Sequence, residues 1–187
     1  MNRLKNTRCY LAGAIEKVMD QDGGVAWREK VKQDLYNLGI QWLDPTDKPV
    51  DVAKETPESH KELQRLRSIG DIRGVQKMMY PICRIDLRMV DVSDFLIVNI
   101  DPDVPTFGTH EEIGRAVLQN KPIIVHLDGD EAELPLWWYE RIDPRLCFHT
   151  WGDTYTYIRS IDKTATSNHD LMLLSDYQWI FFNWMGT

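Results

Sequence analysis

A glutamate at the start of a helix that follows a buried strand can act as a fixed carboxylate at a ligand site. Glu112 has this setting, in the stretch Phe107-Gly108-Thr109-His110-Glu111-Glu112-Ile113-Gly114 between the apolar runs 95–100 and 122–127. A turn holding Gly108 that feeds a helix directly after a buried strand puts the first helical residues at the carboxyl edge of a sheet, where open α/β folds bind ligands. The same spacing fits a capping box, in which Thr109 caps the helix and Glu112 reaches back to the cap's backbone N–H. A carboxylate in the first turn feels the positive end of the macrodipole and accepts backbone N–H bonds, and both effects keep it ionised. Such a group can be a structural cap or a nucleophile, and the local pattern leaves both open.

The elements that must position Glu112 follow from periodicity. Residues 9–15 are a short apolar run ended by Ala12-Gly13-Ala14, which suits a first buried strand and a tight turn. Val25, Val31, Leu35 and Leu38 recur at near-helical spacing, so a helix is predicted over 25–38, with Gly39 at its C-cap. A second strand is predicted over 40–43, followed by a polar, proline-containing loop to Pro57 that could lie over a site. Helices are predicted over 58–69 and 75–92, the second amphipathic through Met78, Met79, Ile82, Ile85, Met89 and Val92. The nearly continuous apolar runs 95–100 and 123–127 read as parallel strands buried on both faces, joined by a helix over 111–119. A fifth strand over 146–151 and a helix over 155–161 complete the series. Strands alternating with helices along the chain predict an α/β three-layer sandwich with a mainly parallel, five-stranded, Rossmann-like (flavodoxin-like) sheet.

Composition narrows the function classes. The 187 residues suffice for one domain over 1–187, and 43% hydrophobic with 27% charged is ordinary for a globular protein. A net charge of −7, from 22 Lys+Arg against 29 Asp+Glu, argues against binding a nucleic acid polymer or an anionic membrane surface. Cys9, Cys83 and Cys147 are odd in number and widely spaced, which suggests neither a disulfide framework nor a thiolate metal cage and points to reducing cytosol. The first residues show no apolar signal region, and no run reaches the length of a membrane span. The apolar C-terminal segment 167–187 is expected to dock on its own domain or on a partner subunit.

Familiar signatures are missing. The chain has no P-loop, no G-x-G-x-x-G after its first strand and no G-x-S-x-G, so phosphoryl transfer, dinucleotide redox and serine hydrolysis lose their usual marks, and no cofactor is expected. His110-Glu111-Glu112 contains part of a zinc-protease motif, but position 114 is Gly where a second histidine would be needed, and no metal is expected. His60, His126, His149 and His169 lack ligand spacing and read as surface or packed residues.

Three ordered segments resemble the nucleoside 2-deoxyribosyltransferase-like superfamily, including its nucleoside 5′-monophosphate N-glycosidase branch. They are Cys9-Tyr10-Leu11-Ala12-Gly13, then Asp86-Leu87 with Val92-Ser93-Asp94, then Gly108 to Ala116 followed by Lys121-Pro122. The resemblance implies that Glu112 attacks C1′ of the sugar, Asp86 donates a proton to the leaving base and Tyr10 orients Glu112 through its hydroxyl. It further implies substrate contacts at Gly13, Thr106, Gly108 and Thr109, a small-molecule nucleoside or nucleotide substrate, and a homodimer or higher homo-oligomer whose neighbours complete each site.

The branches differ six positions before the nucleophile. The resemblance implies an aspartate there in base-exchanging transferases and a serine in monophosphate hydrolases; this chain has Thr106. A hydroxyl can donate to a phosphate without adding negative charge, so N-glycoside hydrolysis of a nucleoside 5′-monophosphate is the favoured expectation. Base exchange on free deoxynucleosides is the alternative, and a non-catalytic nucleotide-binding or sensor module is a reading of another class. Trp27 and Trp42 are candidates to stack on a base, and Trp137-Trp138-Tyr139 is a candidate lid or interface.

Overall fold

The structure is a computed structural model describing residues 3–129 and 134–162. The expected apolar segment 167–187 lies outside the described residues. Five strands, β1 (Arg8–Gly13), β2 (Gln41–Leu43), β3 (Phe95–Ile100), β4 (Ile123–Leu127) and β5 (Cys147–Phe148), form one sheet in the order β2-β1-β3-β4-β5. Every pairing is parallel. Helices α1 (Val25–Asp34), α2 (Pro57–Ser68), α3 (Ile72–Val92), α4 (Phe107–Leu118), α5 (Trp138–Arg141) and α6 (Trp151–Asp162) make the connections and the outer layers.

Alternation along the strands divides the core in two. Cys9, Leu11, Phe95, Ile97 and Ile124 pack with Val31 of α1, Leu35 just beyond it, and Ile158 and Ile161 of α6 on one face. Tyr10, Ala12, Leu96, Val98, Ile123 and Val125 pack with Val90, Ile113 and Ala116 of α3 and α4 on the other. Because both faces are covered, β3 and β4 are apolar at nearly every position, which is why they read so clearly as strands. The fold is thus the three-layer, doubly wound α/β sandwich that periodicity predicts.

Four boundaries depart from the prediction, each for a local reason. The first helix stops at Asp34, and a 3-10 turn over Tyr36–Leu38 carries the chain to Gly39 at φ +67°. α3 starts at Ile72 because Asp71 caps it, accepting from the Gly74 N–H at 2.9 Å. The fifth strand is only Cys147–Phe148: a 3-10 turn over Pro144–Leu146 delays its start, and Thr150 accepts from the Asp153 N–H at 3.1 Å, so that Trp151 already begins α6.

The fourth departure touches Glu112. α4 begins at Phe107, with Thr106 at its N-cap and no side-chain cap bond. Thr109 therefore lies inside the first turn, buried, and Glu112 sits in the second turn; the Thr109–Glu112 capping box does not form. The chain turns earlier than expected, where the Val104 N–H donates to the Asp101 carbonyl and the Asp103 N–H to the Asp101 side chain. Pro105 then leaves the helix to start two residues on.

Candidate active site at the switch point of the sheet

β1 connects outward to β2 through α1 and pairs on its other side with β3, so the strand order reverses between β1 and β3. A crevice opens at the carboxyl ends of such a strand pair. A cavity of about 300 Å³ lies there. Gly13, Asp86, Thr106, Gly108, Thr109 and Glu112, drawn from β1, α3 and the start of α4, all line it. Tyr10 is buried beneath, and its hydroxyl donates to Glu112 Oε1 at 2.6 Å. Seven residues spread over a hundred positions of sequence are thereby gathered at one place.

Each is positioned by the fold. Tyr10 points to the α3–α4 side because its neighbours Cys9 and Leu11 take the opposite face, and β1–β3 pairing sets Tyr10 opposite Leu96 and Gly13 opposite Asn99. A Cβ on Gly13 would stand 2.9 Å from the Trp27 ring and 3.1 Å from the Asn99 carbonyl, so only hydrogen fits. α3 and α4 are braced together: Asp91 accepts from Arg115 Nε at 2.7 Å and from Gln119 at 2.6 Å, and the Lys121 ammonium donates to the carbonyls of Val90 and Asp91. The brace fixes Asp86 and Glu112 relative to one another.

The electrostatics differ from the expectation of a helix-ionised carboxylate. Burial pushes Glu112 up to about 8; the Tyr10 hydrogen bond and Arg28 oppose this, while the negative charges of Asp86 and Glu55 add to it. Away from the first turn, Glu112 has no cap bond to offset desolvation. Asp86 is pushed up to about 6 by burial, against the pull of the Lys48 ammonium 2.8 Å away. Tyr10 is raised as well, by burial and then by the charge of Glu112, which keeps it a hydroxyl donor. The site thus holds two carboxyl groups whose burial brings both toward neutral pH.

Three participants escaped sequence reasoning. Arg28 is fully buried and donates to the carbonyls of Leu11 at 3.2 Å, Gly13 at 3.0 Å and Gly24 at 2.8 Å, while facing Asp44 at 3.7 Å. It ties the end of β1 to the start of α1. Its signal was available: positions 28, 31 and 35 share one helical face, so a charged residue interrupts the apolar stripe. Lys48 and Glu55, in the loop between β2 and α2, bear on Asp86 with no periodic pattern to reveal them. This proline-containing loop does reach the site, through Glu55.

The aromatic candidates do not line the cavity. Trp27 and Trp42 pack against the α1–α6 core. Trp27 lies 5.6 Å from the Trp151 ring, with the Arg28 guanidinium 4.4 Å from its own centroid. Trp138 is buried, with its indole N–H toward His110, and Trp137 is exposed. The apolar wall comes instead from Ile15, Met79, Ile82, Leu87 and Phe107. Gly24, at φ +75°, is the N-cap of α1. Among the described residues, Lys17 is the one basic residue lining the cavity, beside the acidic Glu16, Glu55, Asp86, Glu111 and Glu112.

Fold and cavity together define a doubly wound α/β protein with a cavity at its switch point. Among solved structures, it is similar to the 2-deoxyribosyltransferase of the psychrotolerant bacterium Bacillus psychrosaccharolyticus, described as a biocatalyst for nucleoside synthesis. The TM-score is 0.54 at 18% sequence identity, over 79% of this chain and 89% of that one, a likeness of fold. No protein-family model matches the chain, and no curated protein matches it. Among the described residues, no helix is long and apolar enough to cross a membrane.

Proposed function

We propose that this protein is an N-glycoside hydrolase that releases the base from a nucleoside 5′-monophosphate through a covalent glycosyl-Glu112 intermediate. The observation that carries the reading is the pairing of Glu112, held by Tyr10, with Asp86 in one cavity at the switch point. A carboxylate oxygen of Glu112 attacks C1′ as the glycosidic bond breaks. The bonding pair leaves with the base, and Asp86 delivers a proton to it. Water then attacks C1′, the ester bond to Glu112 breaks, and Asp86 takes the proton from that water. Thr106 supports a phosphate at the mouth: its hydroxyl is not used to cap α4 and it lines the cavity.

A second reading, base exchange on free deoxynucleosides, is favoured by a different observation. Five acidic residues against Lys17 form a wall that disfavours a dianionic substrate. The same covalent intermediate serves both, the acceptor being water or a second base. Incubation with panels of nucleosides and 5′-monophosphates, with and without an added base, followed by chromatography, separates them. Free base from monophosphates alone is the expected result. Exchange that requires an added base would replace the first reading by the second, and a folded Glu112→Ala protein with full activity would overturn both.

A further inference from the structure

Beneath the cavity lies an ammonium that neither reading uses. The Lys48 side chain is wholly buried, and its ammonium lies 2.8 Å from Asp86 Oδ1 and 3.3 Å from Glu55 Oε1. Both carboxylates line the cavity, whereas Lys48 does not. An ammonium with no access to water is retained in a protein only when paired, and here both partners belong to the site. As a mere anchor for its loop the arrangement is a poor device, because a buried ion pair contributes little net stability compared with packed apolar side chains. What an apolar residue could not do is control the Asp86 carboxyl.

Resting on the glycosyl-transfer reading above, we propose that Lys48 is a positioning residue: from under the cavity it engages one oxygen of Asp86 and holds that carboxyl able both to give a proton to the leaving base and to take one back from water. Double displacement needs both acts from one group. Without the ammonium, a desolvated Asp86 beside Glu55 would hold its proton more tightly; it would take a proton from water readily but give one up poorly to the leaving base. The groups that act on Asp86 are Lys48 and Glu55 from the β2–α2 loop, Arg28 from α1, Cys83 from α3, Glu112 from α4 and Tyr10 from β1. Of these, Lys48 makes the direct hydrogen bond to it. The carboxyl is pushed up by burial and pulled back by Lys48, and the balance falls at about 6.

The test reads Asp86 directly, by NMR titration of protein carrying carboxyl-¹³C aspartate, with Asp86→Asn to assign the resonance. Lys48→Met is expected to raise the Asp86 midpoint by about 1 to 3 pH units, the usual effect of losing an adjacent opposite charge. Glu55→Gln is expected to lower it, and Lys48→Arg to return it toward the parent value. Opposite movements in the first two are a signature that a loop anchor would not produce. An unmoved midpoint in folded Lys48→Met, or movement in the same direction in both, overturns the proposal. If Lys48→Met does not fold, the unaltered protein decides: the ¹⁵N resonance of the Lys48 ammonium must titrate with the Asp86 midpoint, and an independent or flat response is a refutation. In turnover, the limb of the pH–rate profile near pH 6, set by Asp86, should move to higher pH with Lys48→Met. Protein that shows the expected titrations but turns over no nucleoside or nucleotide would retain the role of Lys48 in setting Asp86 and lose the functional reading.

Discussion

Tyr10 donates its hydroxyl hydrogen to Glu112 Oε1 at 2.6 Å, joining β1 to α4 across 102 positions. The donor lies inside the core and cannot turn to water, so it fixes one carboxylate oxygen and partly offsets the burial of the charge. Tyr10→Phe should therefore raise the Glu112 midpoint and slow turnover about 10-fold to 100-fold at pH 7, with the loss shrinking as pH rises. It should cost about 1 kcal/mol of stability. Turnover rates between pH 6 and 9, with urea denaturation, measure both effects.

The two carboxyl groups titrate near 6 and near 8. With Asp86 needed as acid and Glu112 as ionised nucleophile in the proposed reaction, kcat/KM should follow a bell with limbs at about those values and a maximum near neutral pH. If Glu112 must be ionised while Asp86 is protonated, only about 1% of the protein is in the working form at the maximum, which predicts a modest rate. A profile flat from pH 5 to 9 would contradict the arrangement.

Glu112 also weakens the fold. Its midpoint in the folded chain is raised from an ordinary 4.5 to about 8, so the folded state binds the proton more tightly than the unfolded state. Stability consequently falls as pH rises from about 4.5 and levels off above about 8. Glu112→Gln keeps an acceptor for Tyr10 and removes the charge. It should match the parent protein at pH 4.5 and exceed it at pH 9 by on the order of 1 to 3 kcal/mol, as urea titrations at the two pH values would show.

Arg28 serves three backbone carbonyls from one guanidinium. Arg28→Met leaves those acceptors buried and deprives Asp44 of a neighbouring cation, with an expected cost of about 2 to 4 kcal/mol. Arg28→Lys should recover little, because an ammonium cannot span the three acceptors as a planar fork does. Thermal unfolding of the three proteins decides this.

Gly13→Ala should fold less stably by about 1 to 3 kcal/mol and bind substrate more weakly, since the added methyl presses on Trp27 and the Asn99 carbonyl at the cavity edge. A rise in KM larger than the fall in kcat would distinguish this crowding from a loss of chemistry.

How much of this could be read beforehand depended on whether a residue belonged to a repeating pattern. β3 and β4 were plain because covered strands are apolar throughout, and that placed Glu112 near a sheet edge. The start of α4 was misread because Thr109 and Glu112 have capping-box spacing, while the chain instead turns at Asp101 and enters the helix after Pro105. The consequence was an expectation of an ionised Glu112, when the group lies deeper in the helix and burial dominates. Lys48 sits in a polar loop, where a lysine is ordinarily solvated, and only the three-dimensional path of that loop puts it under Asp86.

The brace at Asp91 bears on how this site could change. Asp91, Arg115, Gln119 and Lys121 fix α3 against α4 without lining the cavity. Much of the remaining wall comes from loop and turn residues, among them Ala14 to Lys17, Glu55 and Pro105. Under the proposed function, chemistry and selectivity therefore rest on separable parts of the chain. On that reading, those loops could be rebuilt around a new base or sugar while the two carboxyl groups keep their spacing, which would make the loop residues, rather than Asp86 or Glu112, the place to redirect selectivity.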